Sequence, residues 1–167
     1  MNSLLVVVIL MLALLVIGGV SARPLLRWAQ RRESKRAIAE FRLRREQLEA
    51  KFFDLASRQG KPRGLRWKQC DWQEAVTFGR DLRSQLLTAF VSAEIHFEAI
   101  EGGDMEEVAA VGTIRDATAL FHYKRGHWGT GGKALFNMNA QDALSRLEGQ
   151  FEPVSHESKN WNAPFTP

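Results

Sequence analysis

The sequence predicts an α+β protein: an N-terminal single transmembrane helix, a basic helical stalk, and an antiparallel β-meander of about four to six strands packed by a C-terminal helix. Three observations carry this expectation. Residues 4–20, LLVVVILMLALLVIGGV, hold no charge; residues 24–58 are rich in helix formers and lack glycine; residues 88–100, TAFVSAEIHFEAI, alternate apolar with polar. The chain divides accordingly into an anchor (1–22), a stalk (23–59), a linker (60–64), a head (65–154) and a loosely ordered tail (155–167).

At about 1.5 Å of rise per residue, the apolar run spans about 25 Å, slightly short of a hydrocarbon core of about 30 Å. A lone span must be helical, because lipid offers no partner to backbone amides. Only Met1, Asn2 and Ser3 precede the run, whereas Arg23, Arg27, Arg31, Arg32, Lys35 and Arg36 follow it. Positive flanks stay in the cytoplasm, so the N-terminus is expected outside and the head in the cytoplasm. A cleaved signal peptide is the rival, since Val20-Ser21-Ala22 resembles a cleavage pattern. Against it stand the missing basic n-region and a run longer than the usual h-region of about 7–15 residues.

Of 167 residues, those beyond the anchor suffice for one soluble domain. The single Cys70 excludes an intramolecular disulfide and suits a reducing compartment. The net charge of +4 conceals an asymmetry: residues 23–68 hold 15 Lys and Arg against 5 Asp and Glu, and the remainder 8 against 14. The six membrane-proximal basic residues therefore read as contacts to anionic headgroups. Nucleic acid is not the expected partner, because the stalk lacks interleaved aromatic platforms.

Pro24 opens a new helix or kinks a continuing one. In the stalk, Ile38, Phe41, Leu48, Phe52 and Leu55 follow heptad spacing, with Arg45 in a seam position. Such a seam serves a homodimeric coiled coil, a dock on the head, or an amphipathic surface at the bilayer. Phe52-Phe53 favours docking.

Gly60, Pro62 and Gly64 mark the linker. Residues 65–72 and 74–78 read as two short strands, and 88–100 as the strongest one. Further strands are expected over 108–114, 117–124 and 133–138, with a mobile hairpin over the glycine-rich 126–132. Short connections make consecutive strands antiparallel. Asn139 caps a helix over 140–150, with Ala143, Leu144, Leu147 and Phe151 at core spacing; Pro153 ends it. Trp161 and Phe165 in the tail suit packing.

For chemistry, Glu94, His96 and Glu98 share one strand face at a spacing of about 7 Å, and His122 could join them from a neighbouring strand. Two carboxylates and imidazole could hold a divalent metal or do acid–base work, although a solvated sheet face produces the same row. The segment GHWGTGGKA fails as a phosphate loop, since His127 stands where glycine is needed and Ala134 where Ser or Thr is needed. Cys70, between Trp67 and Trp72, reads as an inert thiol, and no serine lies in a nucleophile elbow. The functional expectation is a membrane-held head that binds an unidentified protein partner, with no catalytic residue and no cofactor assigned. A metal- or ligand-binding head and a structural dimer are the alternatives.

Overall fold

A computed structural model describes residues 2–59, 64–102, 105 and 115–154, without the side chains of residues 2–6, 9, 10 and 12–27. It contains two helices and a six-stranded antiparallel sheet: α1 (Asn2–Gln59), β1 (Leu65–Asp81), β2 (Leu87–Ala99), β3 (Arg115–Lys124), β4 (His127–Gly129), β5 (Ala134–Phe136), α2 (Ala140–Arg146) and β6 (Phe151–Pro153). The α+β class expected from the sequence is present. Helix α1 runs through Pro24 and does not begin there. The expected strand at 108–114, most of the linker and the tail with Trp161 and Phe165 lie outside the described residues.

Among the described residues, no helix is long and apolar enough to cross a membrane. Most side chains of the 4–20 run lie outside that description.

Two compact units make up the chain, Met1–Glu40 and Phe41–Pro167. In the second, the order across the sheet is β4-β3-β2-β1-β6, with β5 also on β3. Strands β1 to β4 form the expected meander; β6 departs from it, returning to pair Gly79, Arg80 and Asp81 of β1. Helix α2 makes that return possible by crossing the sheet from the β5 side to the β1 side.

Where two short strands were expected over 65–78, there is one long strand with two bulges. One extra residue separates Trp67↔Phe97 from Gln69↔His96, and two separate Trp72↔Ala93 from Val76↔Val91. The first bulge reverses the alternation, so Trp67 and Trp72 face the same way despite their odd spacing. Both meet Phe52 of α1, at ring separations of 6.4 and 5.5 Å.

The glycine-rich segment also differs from expectation. The turn is a two-residue one, Arg125-Gly126, with φ of 53° and 82° as a type I′ hairpin requires. Residues 130–133 are a bulge between β4 and β5, held where Thr130 Oγ1 donates to the Leu120 carbonyl and Leu120 N to that of Lys133. Gly132, at φ +71°, brings the bulge against α1; a Cβ there would stand 2.8 Å from Ala56 N. Close approach of two backbones, rather than a mobile tip, accounts for this glycine.

Stalk positions Phe41, Leu48, Phe52 and Ala56 are buried. Phe41 meets Phe78, Phe121 and Trp128 at 5.8, 5.5 and 4.9 Å, and Phe52 meets Phe121 at 5.7 Å. Three helical turns separate Phe41 from Phe52, so both fall on one stripe and clasp Phe121 between them. The stripe's C-terminal part thus docks on the sheet, one of the three roles its spacing allowed.

On the opposite face, Phe90, Leu120, Ala140, Ala143, Leu144 and Phe151 form a smaller core. Asn139 caps α2 as expected, its side chain accepting from Asp142 N at 2.9 Å. The helix ends at Arg146, short of 150. Phe151 consequently lies in β6, where its ring meets Phe90 at 5.2 Å.

Candidate functional site

Glu94, His96 and Glu98 stand on the α2 face of β2, because their even positions continue the row of Phe90 and Ser92. Each reaches a neighbour on β1: Gln73 Nε2 donates to Glu94 Oε1 at 3.1 Å, His96 Nε2 lies 2.8 Å from Asp71 Oδ2, and Arg66 Nε donates to Glu98 Oε1 at 2.6 Å. The row is therefore a set of cross-strand polar pairs at the uncovered end of the sheet.

His122 does not join it. It pairs with Thr88, six residues before Glu94 on β2, or about 20 Å along the strand. Phe90 and Ser92, under α2, intervene. His122 Nδ1 lies 3.0 Å from Thr88 Oγ1, and burial pushes its pKa down, with the Asp81 charge opposing and the Lys133 charge assisting. Among the described residues, no three of His, Cys, Asp and Glu gather as a metal-binding group.

Cys70 is half-buried on the α1 face, opposite Ile95. Burial pushes its thiol pKa up to about 12, with the Asp71 and Glu49 charges adding to the effect. A thiol so far from ionisation is a poor nucleophile.

Sequence reasoning missed Arg45's role. Its Nε donates to Glu49 Oε1 at 2.6 Å, and its Nη atoms donate to the Gln73 and Glu74 carbonyls in the large bulge of β1. A bulge turns carbonyls away from the ladder, and a guanidinium fork is suited to collect them. The residue that mars a heptad seam thus joins helix to strand. Glu49 is buried, and desolvation raises its pKa against the lowering effect of Arg45.

Sequence reasoning also missed a groove of about 930 Å³ between that bulge, α2 and β6. Gln73, Thr77, Asn139, Gln141 and Ser145 supply amides and hydroxyls to its wall, Arg42, Glu74 and Glu148 supply charge, and Ala75, Val76, Pro153 and Val154 supply accessible apolar surface. Ser92 Oγ already accepts from Ala140 N at 2.8 Å, fixing α2 over the sheet. No local pattern reveals the groove, since its walls run from Arg42 to Val154 in the chain. The Asn139 cap, legible in sequence, places one of them.

Of the six basic residues that follow the apolar run, Arg31, Arg32, Lys35 and Arg36 are exposed; the side chains of Arg23 and Arg27 lie outside the described set. The fold and site thus define an α+β chain whose sheet carries a helix on each face and a polar groove beside its edge strand. Comparison with family models, curated proteins and solved structures finds no match to this chain.

Proposed function

We propose that the chain is a single-pass membrane protein whose cytoplasmic α+β head is a binding module, with the groove between β1 and α2 receiving a segment of a partner polypeptide. The groove is the observation that carries this reading. Its amides and hydroxyls match the donors and acceptors of a peptide backbone, and Ala75, Val76, Pro153 and Val154 offer apolar contact for side chains.

Support for the anchor comes from the charge-free run, from the basic flank on one side, and from Val7, Val8 and Met11, which are 56%, 48% and 64% exposed on α1. Lipid would cover such side chains at no cost, whereas water would not.

A photo-crosslinking residue placed in turn at Gln141, Ala75 and the remote His127 of the full chain in intact cells tests the binding reading. A discrete protein adduct from Gln141 and Ala75 but not from His127 is the expected result. Equal labelling from all three sites, or none from any, refutes it. For orientation, Cys70 is too poorly ionised to serve as a reporter, so Arg83→Cys is made in a Cys70→Ser background. Impermeant maleimide should label it only after permeabilisation; labelling of intact cells puts the head outside.

A further inference from the structure

Unit Met1–Glu40 carries a surface that composition alone does not reveal. At about 100° per residue, Trp28, Arg31, Arg32, Lys35 and Arg36 fall within an arc of about 140° on α1. All five are exposed, Trp28 at 58%. Glu33 and Glu40 fall outside the arc, so the face carries no acid, while Ser34, Ala37 and Ile38 point elsewhere and are buried. Arg32 Cζ lies 4.5 Å from the centroid of the Trp28 ring, a cation–π stack between residues one turn apart.

We propose that this face is the membrane-surface site of the protein, with Trp28 and the stacked Arg32 seated among lipid headgroups and the positive field of Arg31, Lys35 and Arg36 above them drawing in anionic lipids. The inference rests on the reading of residues 4–20 as a membrane span. Two features select lipid over other anions. The face continues, along the same helix, the run bearing the exposed Val7, Val8 and Met11. The spacing also fits. If residues up to Arg23 complete a core of about 30 Å, Trp28 lies about 7 Å beyond its boundary, inside a headgroup layer of about that depth. Side chains on a helix lean toward its N-terminus, which turns the indole toward the acyl chains. The Arg32 guanidinium, folded back to within 4.5 Å of that ring, is held at the depth of the phosphates although its backbone lies one turn further out. Single-stranded nucleic acid would need successive aromatic platforms; this face offers one.

The full chain is reconstituted in vesicles of phosphatidylcholine containing phosphatidylserine, beside a Trp28→Phe variant and a variant with Arg31, Arg32, Lys35 and Arg36 all changed to Gln. Carbonate-resistant flotation reads the span. The wild-type minus W28F fluorescence reads Trp28, using lipids brominated near the carbonyl end of the chain. Spin-labelled lipids read headgroup selectivity. Expected are flotation of all three proteins, strong quenching of the difference signal, and a preference for phosphatidylserine of about fivefold that falls to about one in the Gln variant. Flotation with an unquenched difference signal and no headgroup preference overturns the surface site while leaving the span intact. Failure to float overturns both. Tight binding of a single-stranded RNA probe by the wild type, lost in the Gln variant, without any lipid preference assigns the face to nucleic acid and refutes the proposal.

Discussion

Toward residues 41–59 of α1, the sheet presents Trp67, Phe78, Phe121 and Trp128; toward α2, the same strands present Phe90 and Leu120 at one end and Asp71, Glu94, His96 and Glu98 at the other. The first face is dry, filled by interlocking rings around Phe41 and Phe52. The second is covered only as far as a helix of seven residues reaches. Burial per residue should therefore be worth most on the α1 face, and the exposed end of the α2 face should tolerate change. That division leaves one side of the sheet free to bear a groove without weakening the other.

The largest expected effect breaks the dry face. Phe52→Ala removes a fully buried ring that touches Trp67, Trp72 and Phe121, and should cost about 4 kcal/mol in denaturant unfolding of the full chain in detergent. A loss under about 1 kcal/mol would mean that α1 does not hold the sheet. Arg45→Ala comes next, at about 3 kcal/mol, because it leaves Glu49 buried without its partner and two bulge carbonyls without a donor. Adding Glu49→Leu should recover most of that loss; no recovery would place the effect elsewhere than in the pair.

On the α2 face, Leu144→Ala should cost about 2 kcal/mol, since this core is smaller and can relax toward the groove. Were its cost equal to that of Phe52→Ala, the two faces would not differ as described. His96→Ala should cost about 0.5 kcal/mol, the scale of a partly exposed pair, measured by the same unfolding curves.

The smallest effect needs pH alone. Burial lowers the pKa of His122, so between that lowered value and the ordinary value of about 6.5 the folded chain binds fewer protons than the unfolded one. Stability then rises with pH across this window and is lost as pH falls through it. His122→Asn should flatten that slope, and an unaltered slope would assign it to another group.

Much of this comparison was legible in the residues. The alternation of 88–100 located β2 to within a residue at each end, and Asn139 located the start of α2, because each depends on neighbours close in sequence. The polar row was legible as a row. Its pairing was not, since Gln73, Asp71 and Arg66 oppose it only through a register that two bulges reset. His122 was placed near the row by strand alternation, yet alternation fixes a face and says nothing of position along it.

Sequence by itself determined the class of the fold, the apolar run, the basic flank and the stripe of Phe41 and Phe52, all of which follow from local periodicity and charge. Tertiary structure decided which partner each stripe meets. It turned a seam-breaking Arg45 into the ligand of bulged carbonyls, a glycine-rich hairpin into a backbone contact at Gly132, and the predicted end of a helix into β6. These outcomes depend on where the chain runs after long excursions. Only closing those loops brings the hydrogen-bonding groups and side chains concerned within reach of one another.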